Sequence, residues 1–184
     1  MNKGDGSAEA WLITFTNQLR SNLPQGEFIL THAPLAPWFS PGKFGGGAYT
    51  KVHADVGASI DWYNIQFYNQ NEYTDCNGLI NTSSSVWPQT SVLEIVAGGV
   101  PADKVVLGKP ATGADANNGF VDTATLATCV AQGAAAGWNG GVMVWQVSNL
   151  SSRLSSQTVL LTRSSLQYPN ADAAWIATVR GGTF

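Results

Sequence analysis

Gln66, Tyr68 and Asn69 stand together at the end of an apolar run that begins at Ile60, and they set two carboxamides beside a phenol. Trp145 stands near the end of a second apolar run, from Gly140 to Gln146. On residue type alone a Tyr or Trp at a strand end is more often core than ligand contact, and a lone Gln-x-Tyr-Asn is a weak signal. Cys76, Cys129, His32 and His53 form no zinc spacing, and the two histidines read as satisfied polar residues. The two cysteines fit a pair in an oxidising compartment and two buried thiols equally well. No Gly-x-Gly-x-x-Gly and no P-loop follows any apolar run, which argues against a nucleotide-binding domain.

The composition narrows the classes further. The chain has 184 residues, 44% hydrophobic and 10% aromatic, enough for one domain with a sizeable core. Only 11% are charged, against roughly 25% in an average protein. The surface therefore rests on Ser, Thr, Asn, Gln and Gly, which suits a secreted or wall-associated protein. With a net charge of −3 and no basic patch, nucleic acid and anionic membrane are not expected partners. No run of about 18 apolar residues is present, and Met1 to Ser7 is polar, unlike a signal peptide. Asn81-Thr82-Ser83 and Asn149-Leu150-Ser151 fit the glycosylation acceptor pattern.

Apolar runs of strand length alternate with helix-length segments. Ser7 is placed to cap a helix carrying Trp11, Leu12, Phe15, Leu19 and Leu23, which stops at Pro24-Gln25-Gly26. Strands are expected over Phe28 to Thr31, Ile60 to Tyr68, Lys104 to Gly108 and Gly140 to Gln146. Helices are expected over Tyr49 to Val56, Trp87 to Ala97, Thr123 to Ala136 and Ala171 to Val179. Gly45-Gly46-Gly47 reads as a flexible stretch, and Asn69 to Ser85 as a long polar loop. Short, nearly continuous apolar strands separated by helices point to parallel strands buried on both faces, an α/β fold. Four such units are too few to close an eight-stranded barrel, so pattern alone supports an open parallel sheet.

Four strand segments together resemble glycoside hydrolase family 18, in its fungal and class III chitinase branch. Phe28-Ile29-Leu30-Thr31-His32-Ala33-Pro34 resembles the fifth barrel strand. Asp61-Trp62-Tyr63-Asn64-Ile65-Gln66-Phe67-Tyr68-Asn69 resembles the sixth, and its last four residues are the most specific match. Lys104-Val105-Val106-Leu107-Gly108-Lys109-Pro110 resembles the seventh. Trp138-Asn139-Gly140-Gly141-Val142-Met143-Val144-Trp145 resembles the eighth. Tyr168-Pro169 and the residues to Trp175 resume the family pattern after an insertion at 147–167. The implied fold is a partial (β/α)8 TIM barrel, strands 5–8 with flanking helices, and residues 1–184 would be the C-terminal half of such a domain.

The resemblance implies a chemistry and also a gap in it. The family hydrolyses β-1,4-linked N-acetylglucosamine with retention, the substrate's own acetamido oxygen attacking C1 to form an oxazolinium ion. Tyr68 matches the tyrosine whose hydroxyl hydrogen-bonds the acetamido carbonyl. Gln66 and Asn69 match polar groups around the same sugar, Met143 a neighbouring contact, and Trp145 the tryptophan that floors the pocket. Trp38, with Phe39, is a further candidate for sugar stacking, set against the alternative that aromatics in a Pro-rich loop anchor it. Asp61, at the start of its strand, reads as structural, and Asp115 matches no essential family residue. The family's D-x-x-D-x-D-x-E segment, which carries the general acid, has no counterpart among the twelve acidic residues; the resemblance begins with the helix that follows it. The implied partners are chitin or N-acetylglucosamine oligosaccharides, with no cofactor, no metal, no nucleic acid and no membrane. Open sheet edges would also favour self-association.

Overall fold

A computed structural model describes residues 1–146 and 177–180. Four strands, β1 (Thr31–His32), β2 (Trp62–Gln66), β3 (Val105–Pro110) and β4 (Val142–Trp145), form one parallel sheet in sequence order. Thr31 lies opposite Trp62, Gln66 opposite Gly108, Gly108 opposite Met143, and Pro110 opposite Trp145. Parallel neighbours cannot be joined by a tight hairpin, so each connection carries a helix. Helix α1 (Ser7–Asn22) precedes β1, α2 (Ala48–Val56) joins β1 to β2, α3 (Val92–Ala97) joins β2 to β3, and α4 (Thr123–Ala135) joins β3 to β4.

The core forms where alternate strand residues meet the helices. Tyr63, Ile65 and Phe67 of β2 and its extension, with Val105 and Leu107 of β3, pack into one cluster with Val52, Val56, Ile95, Leu126, Val130 and Trp138. Val179, within helical residues 177–180, joins them. Cys76 and Cys129 are joined in a disulfide that ties the loop after β2 to α4. Of the two readings left open by the sequence, the pair is the one realised.

Several boundaries move for physical reasons. Gly6, in the left-handed region at φ 76°, takes the N-cap of α1, while the Ser7 hydroxyl donates to Asp5. The buried face of α1 is Glu9, Leu12, Ile13 and Thr16; Trp11 and Phe15 stack on each other toward solvent. β1 starts at Thr31 rather than Phe28, because its only paired neighbour begins at Trp62. α3 starts at Val92, where Ser91 and Glu94 form a reciprocal capping box. The Asn69 to Ser85 loop contains a π-helical turn, Asn77–Asn81, that buries Leu79 and Ile80. β4 starts at Val142, where its pairing with β3 begins opposite Leu107, and just before it Gly140 lies so close to the Val105 carbonyl that no side chain fits there. The insertion at 147–167 and the Tyr168–Trp175 segment lie outside the described residues; of the expected last helix, residues 177–180 are described and are helical.

The glycine run before α2 is a packing seat. A Cβ on Gly46 would stand 2.6 Å from the Glu9 carboxylate. That carboxylate is buried and accepts the Ala48 N–H at 2.9 Å, at the start of α2. Absence of side chains at Gly46 lets α1 deliver an acceptor to the unsatisfied amides of α2.

Two outcomes follow. Gly46→Ala displaces Glu9 and lowers stability by about 1–3 kcal/mol, read as a lower urea midpoint at unchanged slope; an unchanged midpoint would show the seat to be loose. Reducing the disulfide frees a chain segment 53 residues long, which in the chain-entropy account costs about 4 kcal/mol. Paired unfolding curves with and without reductant measure it, and coincident curves would show that the cross-link does not constrain the unfolded chain.

Candidate functional site

The period of β2 decides which side chains are presented. Tyr63, Ile65 and Phe67 turn toward the helices, so Trp62, Asn64 and Gln66 must turn to the other face, where they are half-buried. Tyr68 lies two positions beyond Gln66 and continues that row. The parallel register carries the row across the sheet: Gln66 is opposite Gly108, Gly108 opposite Met143, and Trp145 two residues further along β4. Gly108 is needed for this, because a Cβ there would meet the Met143 methyl and the Ile65 carbonyl, each at 2.6 Å. Gln66, Tyr68, Met143 and Trp145 are thereby gathered on one face at the carboxyl ends of the strands, where parallel α/β sheets place their sites.

Hydrogen bonds fix the row from below. Trp62 Nε1 donates to Asn64 Oδ1 at 3.2 Å, and Asn64 Nδ2 donates to Thr31 Oγ1 at 3.4 Å. Gln66 Nε2 donates to the Ala33 carbonyl at 2.7 Å, which holds one end of its carboxamide against the chain leaving β1. Tyr68 is nearly buried, and its hydroxyl has no hydrogen-bond partner among the described residues. Burial pushes its pKa up to about 12, so the hydroxyl stays a donor across the physiological range. Trp145 is 46% exposed and offers a free aromatic surface. The peptide bond that follows it is cis.

Asn69 has a different place. It sits at φ 68°, a conformation asparagine tolerates better than most residues. Its Oδ1 accepts the Asn117 N–H at 2.8 Å and its own N–H donates to the Asn118 carbonyl at 3.1 Å. Its side chain staples the loop after β2 to the loop after β3.

Trp38 is not brought into the row. It stacks on Tyr49 with the ring planes 5° apart, beside β1, at the sheet edge opposite β4. Its other surroundings are a groove of about 530 Å³ that also touches Lys3 and Trp11. Phe39 is in the core. Both histidines are held on the helix side: His32 between Thr16 and Tyr49, His53 against the Tyr63 hydroxyl, each with its pKa lowered by burial. Asp61 accepts from Arg20 and from the Leu30 N–H below the sheet, as a structural residue would. Asp115 accepts from Thr112 within its own loop. Among the described residues no cluster of His, Cys, Asp and Glu could hold a metal.

Sequence reasoning passed over Asn64 and Lys109. Asn64 was visible in the alternation of Trp62, Asn64 and Gln66, which is a period-two signal. Lys109 gave no signal, because a lysine at the end of an apolar run reads as a surface residue.

The row offers a hydrogen-bond donor, carboxamides and an aromatic surface, but no carboxyl group. Such a face is chemically suited to a ligand with a polar edge and an apolar face; it holds no carboxyl group to act as a general acid.

No protein-family model and no curated protein matches the sequence. Solved structures do. A glycoside hydrolase family 18 chitinase from Pseudoalteromonas aurantia superposes with a TM-score of 0.71 at 24% identity, over 96% of this chain and 54% of that one. A fungal endo-β-N-acetylglucosaminidase of the same family gives 0.58 at 28% identity, over 73% and 43%. A chitinase from Aspergillus fumigatus gives 0.54 at 28% identity, over 75% and 46%. The chain spans about half the length of these structures.

The buried phenol gives a check on the site. Tyr68 is neutral when protonated, and its raised pKa means the folded chain resists ionisation that the unfolded chain undergoes near pH 10. Its contribution to stability is complete below about pH 10 and is lost as the pH rises toward 12. The tyrosinate absorbance difference between the parent and Tyr68→Phe should stay flat through about pH 10 and rise only beyond it; a rise at the ordinary tyrosine pKa would show the phenol to be solvated.

Proposed function

We propose that this chain, which has the glycoside hydrolase family 18 chitinase-type fold, is the C-terminal half of such a barrel and supplies the acetamido-binding part of a site for β-1,4-linked N-acetylglucosamine. The observation that carries the reading is the gathering of Gln66 and Tyr68, from β2 and its extension, with Met143 and Trp145 of β4 across Gly108 of β3, at the carboxyl ends of the strands. β1 to β4 would correspond to strands five to eight. The Tyr68 hydroxyl would donate to the acetamido carbonyl as its oxygen closes on C1, which holds the acetyl group in place and stabilises the charge of the oxazolinium ion. The Trp145 ring would take the apolar face of the pyranose. Gln66 Oε1 is left to accept from the sugar, its Nε2 being engaged with Ala33.

Two reactive groups are not supplied. Protonation of the leaving oxygen and support of the acetamido nitrogen both belong to the D-x-x-D-x-D-x-E segment, which these 184 residues do not contain. A general acid alone contributes about 10²–10⁴-fold. These residues by themselves are therefore a binding surface with the chemistry removed.

A second reading, association with another chain, has its own support. α1 turns Trp11, 64% exposed, and Phe15 to solvent, and Phe28 and Ile29 are exposed just before β1. β1 and β4 each have one unpaired side among the described strands.

Chitotetraose incubated with this chain should give no detectable product, whereas calorimetry should detect binding that Trp145→Ala abolishes. Turnover at an ordinary enzyme rate would place the chemistry elsewhere, and absence of binding in the parent would remove the saccharide reading. Sedimentation velocity separates the second reading, which a monomer at every concentration would rule out.

A further inference from the structure

Lys109 is the last but one residue of β3 and shares the helix-side alternation of Val105 and Leu107. It is fully buried. Its Nζ donates to the Phe67 carbonyl at 2.7 Å, the Tyr73 carbonyl at 2.7 Å and the Gly119 carbonyl at 2.9 Å. Three acceptors match the three hydrogens of the charged form, although burial pushes the pKa of this amine down to about 7. No carboxylate pairs with it among the described residues.

The positions of those carbonyls are informative. Phe67 and Tyr73 flank residues 68–72, the first part of the loop after β2, so one amine holds both ends of that stretch. The third carbonyl belongs to Gly119, whose missing Cβ would stand 2.8 Å from the Tyr68 Cα. The loop needs such holding. Asn69, Asn71 and Tyr73 all have φ near 60°, a region asparagine tolerates but in which a bulky residue such as Tyr73 is strained. Both polar atoms of the Gln70 carboxamide are buried, with no hydrogen-bond partner among the described residues. A segment with such strain keeps one shape only when its surroundings over-determine it.

We infer that Lys109 is a positioning residue: by holding the carbonyls of Phe67, Tyr73 and Gly119 it fixes the loop that presents Tyr68 to the saccharide. This rests on the reading that Tyr68 meets the acetamido group. Asn69 then fastens the outer edge of the same junction through Asn117 and Asn118, so the two loops are closed at the bottom by a lysine amine and at the top by an amide.

The test compares the full chain with Lys109→Met, which keeps the length and loses every donor, and Lys109→Gln, which keeps two donors and remains available if the methionine variant does not fold. Amide hydrogen exchange by NMR is read for residues 67–73 and 117–119 against Val105 to Leu107. Affinity for chitotriose is read by calorimetry. Exchange in the two loops should rise about tenfold or more above any change in β3, and affinity should fall by a similar factor, with the glutamine variant between parent and methionine. Uniform exchange throughout the chain with affinity retained in the folded fraction would reduce Lys109 to a packing residue and overturn the inference. A parent that binds no chitotriose would defeat the saccharide reading, while loop exchange would still decide whether Lys109 holds Tyr68.

Discussion

The alternation of a parallel strand is the constraint on which the site depends. Tyr63, Ile65 and Phe67 are drawn to the helix side by burial, and each fully buried aromatic or aliphatic side chain contributes about 1.5–3 kcal/mol. With those three fixed, Asn64, Gln66 and Tyr68 have no freedom to choose a face. Register does the same for the neighbouring strands, since a shift by one residue would turn Met143 and Trp145 away from Gln66. The face on which the row lies is thus decided by hydrophobic burial on the opposite side of the sheet, and the hydrogen bonds of Trp62, Asn64 and Gln66 then fix its side chains.

Beyond the strand ends that constraint stops, and polar contacts take over. The loops after β2 and β3 contain no long apolar stripe. They are joined instead by Asn69, Asn117 and Asn118 at their surface and by Lys109 beneath. Gly119 lets the second loop come close to Tyr68. The disulfide from Cys76 to Cys129 anchors the far end of the first loop to α4. In the proposed reading a rigid loop here would serve binding directly, because a donor already in place does not have to be ordered by the ligand.

The same division explains what could be read from the sequence. The four strands, the helices and the carboxyl-end location of Tyr68 follow from apolar periodicity and element order, and those were legible. Resemblance added roles for Gln66, Tyr68, Met143 and Trp145 that periodicity cannot supply. What the sequence concealed was long-range and polar. Gly45-Gly46-Gly47 looks like a flexible linker unless one knows that Glu9 packs against it, 37 residues away in the chain. Trp11 and Phe15 fall on a helical stripe with Leu12 and Leu19, yet the buried stripe runs through Glu9 and Thr16 because those side chains meet Ala48 and His32. Trp38 is an aromatic in a Pro-rich loop, and only its stacking on Tyr49 shows that it is tied to α2.

The scarcity of charge makes these polar contacts easier to interpret. Of nine basic residues, Arg20, Lys104 and Lys109 are turned inward onto backbone carbonyls rather than outward to water. Arg20 holds Ser59, Leu23 and Phe28, and Lys104 holds Gly57 and Ile60, all below the amino ends of the strands. Lys109 does the same at the carboxyl ends. Long cationic side chains reach carbonyls that no helix or ladder satisfies, and a buried carbonyl without a donor is costly. The two ends of the sheet are therefore closed by the same device. They differ in what the device holds: below the sheet it fixes turns between elements, and above it fixes a loop with left-handed backbone positions that bears Tyr68, the one tyrosine among the described residues whose hydroxyl has no hydrogen-bond partner there. Lys109 holds both ends of residues 68–72, the stretch that carries Tyr68, and in the proposed reading this makes it part of the site's architecture although it would touch nothing that binds there.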